Sequence, residues 1–132
     1  MAGKGTAVVR GQQLADRVVS LAGKLGLSAR EQVKVARRIW GSERKIDVVI
    51  TEPTSKKRLG VECKFQSTPG TAEEKIPTTI QDIDAWPIPG IVVFDGDGFS
   101  PNMRSFLHAS GKAVSFEDLE PWLRLFFGLE IE

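Results

Sequence analysis

The sequence holds a single cysteine in 132 residues, which excludes an internal disulfide and leaves no set of thiolates for a zinc cage. Cys63 is therefore expected to be a core residue. No apolar run approaches the roughly 18 residues that cross a bilayer, and residues 1–10 lack the apolar stretch of a signal peptide, so a cytoplasmic protein with no membrane partner is expected. His108 is the lone histidine, and no serine or cysteine can be assigned to it as a catalytic partner, which assigns it a structural place. No glycine-rich loop opens a helix, and this argues against nucleotide-driven chemistry. Net charge is also scarce, at +1, but the balance is uneven: residues 1–45 carry +7 and residues 46–132 carry −6. A polyanion-facing N-terminal region is the reading of that split.

What is present is enough for one domain, since a chain of this length buries roughly two-thirds of its unfolded surface. Leu14, Val18, Leu21 and Leu25 form a helical stripe over residues 12–25 that Gly26 stops. Ser28-Ala29-Arg30-Glu31 reads as a capping box, with Val33, Ala36, Ile39 and Trp40 as the buried side of a second helix. The period then changes. Residues 46–50 are short and β-branched, residues 54–58 are polar turn material, and residues 59–65 form a second strand, together a β-hairpin. Thr71-Ala72-Glu73-Glu74 opens a helix that Pro77 kinks or restarts before Trp86. Ile91-Val92-Val93-Phe94 suits a strand buried on both faces, and Asp95-Gly96-Asp97-Gly98 is a turn without the closing ligands of a calcium loop. Ser100-Pro101 starts a helix that Gly111 ends, Ala113-Val114 is a short strand, and residues 116–127 form the last helix. The order ααββαβαβα predicts an α/β (α+β) fold, a mixed sheet flanked by helices.

The chemistry concentrates on two strands. In Val61-Glu62-Cys63-Lys64-Phe65-Gln66, alternation places Glu62, Lys64 and Gln66 on one side and Val61, Cys63 and Phe65 on the other. Asp47 is the one acid in an otherwise apolar strand, where a lone carboxylate needs a cation, a partner or water. Pairing as a hairpin brings Asp47 and Glu62 together beside the Lys64 amine. Two hard oxygen ligands and an amine suit Mg²⁺-assisted phosphodiester hydrolysis. A structural Glu–Lys pair, with Asp47 at a strand end, is the competing reading of the same spacing.

Asp47, a turn, then Gly60-Val61-Glu62-Cys63-Lys64 resembles the D…(D/E)-x-K core of the PD-(D/E)XK nuclease superfamily, which includes restriction endonuclease-like folds and Holliday-junction resolvases. The likeness runs from about Arg44 to Phe94 and includes Gln66 and the segment Gly70-Thr71-Ala72-Glu73-Glu74-Lys75-Ile76. It implies a restriction endonuclease-like mixed sheet, with residues 1–9 as a basic tail and residues 10–132 as the nuclease-like domain. It also implies Asp47, Glu62 and the Cys63 backbone carbonyl as metal ligands, Lys64 as the catalytic lysine, Gln66 as an accessory group, and Mg²⁺, with Mn²⁺ as a substitute, as cofactor. Ile46 stands where the name-giving proline would be. For the extra acid that many members carry before the hairpin, Asp16, Glu31 and Glu43 are candidates, and Glu31 is favoured. The superfamily's αβββαβ order requires one strand more than the reading above supplies, and Glu52 to Thr54 or a longer meander is where it is expected.

The expected partner is DNA. Arg30, Lys34, Arg37 and Arg38 form a basic stripe on the second predicted helix, and Arg44 and Lys45 extend it towards Asp47. Lys56-Lys57-Arg58 at the hairpin tip either reaches a backbone phosphate or keeps the turn soluble, and the second reading is favoured. The heavy apolar side of the last helix (Trp122, Leu123, Phe126, Phe127) suggests a homodimer or higher homo-oligomer. The resemblance thus implies a metal-dependent DNA endonuclease leaving 5′-phosphate and 3′-hydroxyl ends. A catalytically inactive nucleic-acid-binding or assembly module is the alternative from another class, and RNA or a nucleotide is a weaker alternative substrate.

Overall fold

The computed structural model describes residues 4–37, 43–67 and 75–130, with side chains described for residues 11–34, 45–67 and 75–130. The elements run α1 (Lys4–Lys24), β1 (Ser28–Arg37), β2 (Glu43–Thr51), β3 (Arg58–Phe65), α2 (Ile76–Asp84), β4 (Gly90–Asp95), α3 (Pro101–Ser110), β5 (Ala113–Ser115) and α4 (Leu119–Phe127). A 3₁₀ turn, Phe116–Asp118, leads into α4. The strands form one sheet in the order β1-β2-β3-β4-β5. The first three are antiparallel neighbours, while β3, β4 and β5 run parallel.

The apolar stripe of α1 and that of α4 cover one face of this sheet. Leu14, Val18 and Ala22 from α1 and Leu119, Leu123 and Phe127 from α4 pack on Val48, Ile50, Leu59, Val61, Cys63, Ile91 and Val93. Each fully buried leucine or valine of this layer contributes about 1.5–3 kcal/mol relative to exposure. The opposite face is covered around α2 and α3, where Ile76, Phe94, Phe99 and Leu107 form one cluster and Ile46, Val49 and Ile88 another. With helices on both sides, β4 is buried from Gly90 to Phe94, as its apolar run predicts, and ends at the part-buried Asp95.

The second predicted helix is the main correction. Residues 28–37 form β1, an edge strand paired with β2 from Ser28↔Thr51 to Arg37↔Glu43. The capping-box pattern is local, whereas the partner that decides this segment is the β-branched β2, which comes later in the chain; tertiary pairing overrides a weak helical preference. This strand supplies the one that the superfamily order requires. A second correction concerns the N-terminus: α1 starts at Lys4, so residues 4–9 belong to its first turns and the expected basic tail does not extend to residue 9. The Thr71–Glu74 capping box lies outside the described residues, and α2 begins at Ile76 with Pro77 in its first turn.

The caps at α3 follow the sequence. The Ser100 side chain accepts the Met103 N–H at 3.1 Å, and Gly111 closes the helix at φ +67°, the left-handed conformation that suits glycine. Gly60 and Gly90, paired across β3 and β4, have a different use. The Trp86 ring lies over both: a Cβ on Gly60 would sit 2.7 Å from it, and one on Gly90 would sit 2.4 Å away. The ring also packs in the cluster that buries Ile46, the residue before Asp47.

Candidate active site

The register between β2 and β3 is regular from Thr51↔Arg58 to Val48↔Val61 and is not continued at Asp47. There, side chains take over the bonding of the main chain. The Cys63 N–H donates to Asp47 Oδ2 at 2.9 Å, and the Asp47 N–H donates to Glu62 Oε1 at 3.3 Å. The two carboxylates are thus held at one fork between the strands, each fixed by a backbone amide of the other strand. Ile46 belongs to the Trp86 cluster and Val48 to the α1 layer, so the chain changes face across Asp47.

Beside the fork lies an open cleft of about 360 Å³, lined by Gly11, Gln12 and Ala15 of α1, Gln32 of β1, Asp47 of β2 and Cys63, Lys64 and Phe65 of β3. Lys64 is half-buried there. Burial pushes the Cys63 thiol far above its usual range, and Asp47, Glu62 and Glu31 push in the same direction against Lys64. Cys63 is accordingly a neutral core thiol at physiological pH, in keeping with its sequence assignment. These three carboxylates and the ammonium place four ionisable groups around one point of β3.

Glu31 sits on β1, not on a helix, opposite Val48. Its carboxylate accepts the Gln12 amide at 3.0 Å, and that amide also donates to Asp16 at 3.1 Å. Gln32 donates to Asp47 Oδ1 at 3.4 Å. Gln12 and Gln32 carry no sequence signal of a site, because α1 and β1 reach the fork only through the fold.

The donor set fits a hard divalent cation. Asp47 and Glu62 supply two carboxylates, and Mg²⁺ characteristically takes one or two, keeping several waters. Among the described residues no cluster of three or more His, Cys, Asp or Glu is arranged to hold a metal.

Gln66 has a different setting. Its amide nitrogen donates to the Gly98 carbonyl at 2.9 Å while its own backbone carbonyl accepts the Gly98 N–H at 2.7 Å. A Cβ on Gly96, at φ +101°, would meet that same carbonyl at 2.3 Å, which explains glycine in the turn. The Gln66 side chain is buried, and its Oε1 accepts no bond from the described residues.

The basic residues are redistributed with β1. Arg30 and Lys34 are exposed on a strand, and Lys34 pairs with the exposed Lys45 across the hairpin. The backbones of Arg37 and Arg44 lie at the same end of that hairpin, and Arg38 is outside the described residues. Lys57 does not serve only solubility: its Nζ donates to the Phe126 carbonyl at 2.7 Å and lies 4.1 Å over the Phe126 ring, at the C-terminal end of α4.

A sequence profile of the PD-(D/E)XK nuclease superfamily domain matches residues 2–125. The chain belongs to the PD-(D/E)XK nuclease superfamily. Its mixed five-stranded sheet flanked by helices is consistent with the restriction endonuclease-like fold. The solved structure of a protein of unknown function, AF1548, is similar with a TM-score of 0.54 at 19% identity, covering 78% of this chain and 56% of that one. This chain therefore spans little more than half of that protein, and the likeness bears on the fold alone. A comparison with curated proteins finds no match. Among the described residues no helix is long and apolar enough to cross a membrane.

Proposed function

We propose that this PD-(D/E)XK protein is a metal-dependent DNA endonuclease that hydrolyses phosphodiester bonds to 5′-phosphate and 3′-hydroxyl ends. The observation that carries the reading is the fork itself, where Asp47 and Glu62 are bonded into each other's strands beside a cleft lined by Lys64. Two anions are costly to hold side by side without a cation, and here they are held by backbone amides that fix their direction.

Asp47, Glu62 and the Cys63 carbonyl are the proposed ligands of Mg²⁺, or of Mn²⁺ in its place. When bound, the metal neutralises charge developing on the scissile phosphate and acidifies a water. The Cys63 N–H keeps Asp47 from rotating away, and the Asp47 N–H does the same for Glu62. Lys64 lines the cleft half-buried, and its ammonium is proposed to orient the attacking water or to stabilise the pentavalent state. Glu31 and Gln66 are proposed as accessory groups, Glu31 through its Gln12 contact and Gln66 through the turn it braces.

DNA is the proposed substrate because Arg30, Lys34 and Lys45 are exposed on the β1–β2 hairpin, with Lys34 opposite Lys45, and a basic surface of this kind suits a phosphate backbone. Arg37, Arg38 and Arg44, which belong to the same basic stretch of the sequence, are proposed to bind DNA with them. Cutting both strands calls for two copies, and a homodimer through the outer side of α4, where Leu125 is 85% exposed, is part of the proposal. The testing experiment incubates the protein with supercoiled plasmid, linear duplex, single-stranded DNA, a four-way junction and single-stranded RNA, in Mg²⁺, Mn²⁺ or EDTA. Metal-dependent cutting of a DNA form is expected, and cutting that persists in EDTA would sink the mechanism.

A further inference from the structure

We propose that Gln32 is a positioning residue for Asp47, holding one carboxylate oxygen so that the other face of the group is presented to the metal. Gln32 has φ +52°, a left-handed conformation that an unbranched, non-glycine residue seldom adopts inside a strand. No ladder pair is formed at Gln32 itself, although its neighbours keep one register. Glu31↔Val48 and Val33↔Ile46 are in the same register on either side, and the irregularity of β1 comes later, between Lys34 and Ala36. The unusual backbone falls at the one position of β1 that lies opposite Asp47.

Its side chain lines the cleft with Asp47 and Lys64, and its amide donates to Asp47 Oδ1 at 3.4 Å. The Cys63 N–H already occupies Oδ2 at 2.9 Å. Asp47 thereby has a donor from each neighbouring strand, one on each oxygen, the Cys63 amide close and the Gln32 amide at longer range. Strain of this kind persists where the surroundings over-determine it, and groups that orient a ligating carboxylate typically change metal affinity by 10–100-fold when removed.

The inference rests on Asp47 being a metal ligand, so the test separates the two claims. Mn²⁺ binding to the full chain is followed by electron paramagnetic resonance for the wild type, Asp47→Asn, Gln32→Ala and Gln32→Gly, with thermal unfolding of each in EDTA. Glycine accepts φ +52° without penalty and lacks the amide, so it removes that donor while sparing the fold. The expected result is a loss of Mn²⁺ affinity of about tenfold or more in both Gln32 variants, with Gln32→Gly melting no lower than the wild type. Wild-type affinity in Gln32→Gly, with binding lost in Asp47→Asn, would overturn the positioning role alone. Unchanged affinity in Asp47→Asn would overturn that role together with the metal site it serves.

Discussion

Replacing Gly90 with alanine should destabilise the domain through one ring. The new Cβ would lie 2.4 and 2.5 Å from two carbons of Trp86 and 3.0 Å from Ile83 Cγ2, where carbon atoms ordinarily rest about 3.5–4.0 Å apart. The ring has little freedom to retreat. Its backbone N–H is tied to the Ile83 carbonyl at 3.1 Å, and it packs with Ile46, Val49 and Ile88. Overpacking of this kind costs about 1–3 kcal/mol, and the loss of glycine's unfolded-state entropy returns about 0.4–1 kcal/mol. A net loss of about 1–2 kcal/mol follows, equivalent to about 4–8 °C in Tm for a domain of this size. Urea unfolding read by far-ultraviolet circular dichroism gives the value. Repeating it in a Trp86→Leu background, where the ring is gone, should recover about 1 kcal/mol or more of coupling. A Gly90→Ala protein as stable as the wild type, or an equal loss in both backgrounds, would refute the assignment of the two glycines to the ring.

Three further outcomes are expected. Lys34→Ala with Lys45→Ala should weaken duplex binding and reduce the slope of log affinity against log salt by roughly 0.9 for each phosphate no longer neutralised; an unchanged slope in filter binding would return the hairpin to solvent. In metal-free protein, Cys63 keeps its proton in the folded state beyond its ordinary value of 9.0, so its contribution to stability is complete below about pH 9 and is lost above it as the unfolded thiol ionises. The slope approaches about 1.4 kcal/mol per pH unit, and urea midpoints from about pH 8 to about pH 10.5 should fall more steeply for the wild type than for Cys63→Ala; parallel curves would contradict the buried neutral thiol. Light scattering at micromolar concentration should give a dimeric mass that Leu125→Glu halves, and a monomeric wild type would remove the proposed pairing.

The parts of the fold legible in the sequence are those written in local pattern. The apolar quartet of β4, the Ser100 cap with Pro101 behind it, the α1 stripe and the Asp47…Glu62-x-Lys64 spacing each carry their own signal over a few residues. β1 is not legible because Ser28 to Glu31 mimics a helix start and the apolar residues that follow fit a helical stripe; only β2, later in the chain, makes it a strand. Reading that segment as a helix puts the basic stripe on one helical face, whereas its charges meet across a hairpin at Lys34 and Lys45. Gln12 and Gln32 reach the cleft through helix–sheet packing and strand pairing, and the Trp86 cover over Gly60 and Gly90 likewise joins distant segments. Lys57 is visible in the sequence as a turn lysine but not as the group that meets the end of α4.

The central claim is that Asp47, Glu62 and Lys64 form one metal-dependent hydrolytic centre. The most direct measurement is the single-turnover rate of plasmid nicking in saturating Mg²⁺ or Mn²⁺ for the wild type, Asp47→Asn, Glu62→Gln and Lys64→Ala, each matched by its thermal unfolding curve. The account predicts that each substitution lowers the rate by at least about 10²-fold, in the range for loss of a catalytic group or charge stabiliser, with folding retained. A wild-type rate in a folded Glu62→Gln or Lys64→Ala protein would contradict it.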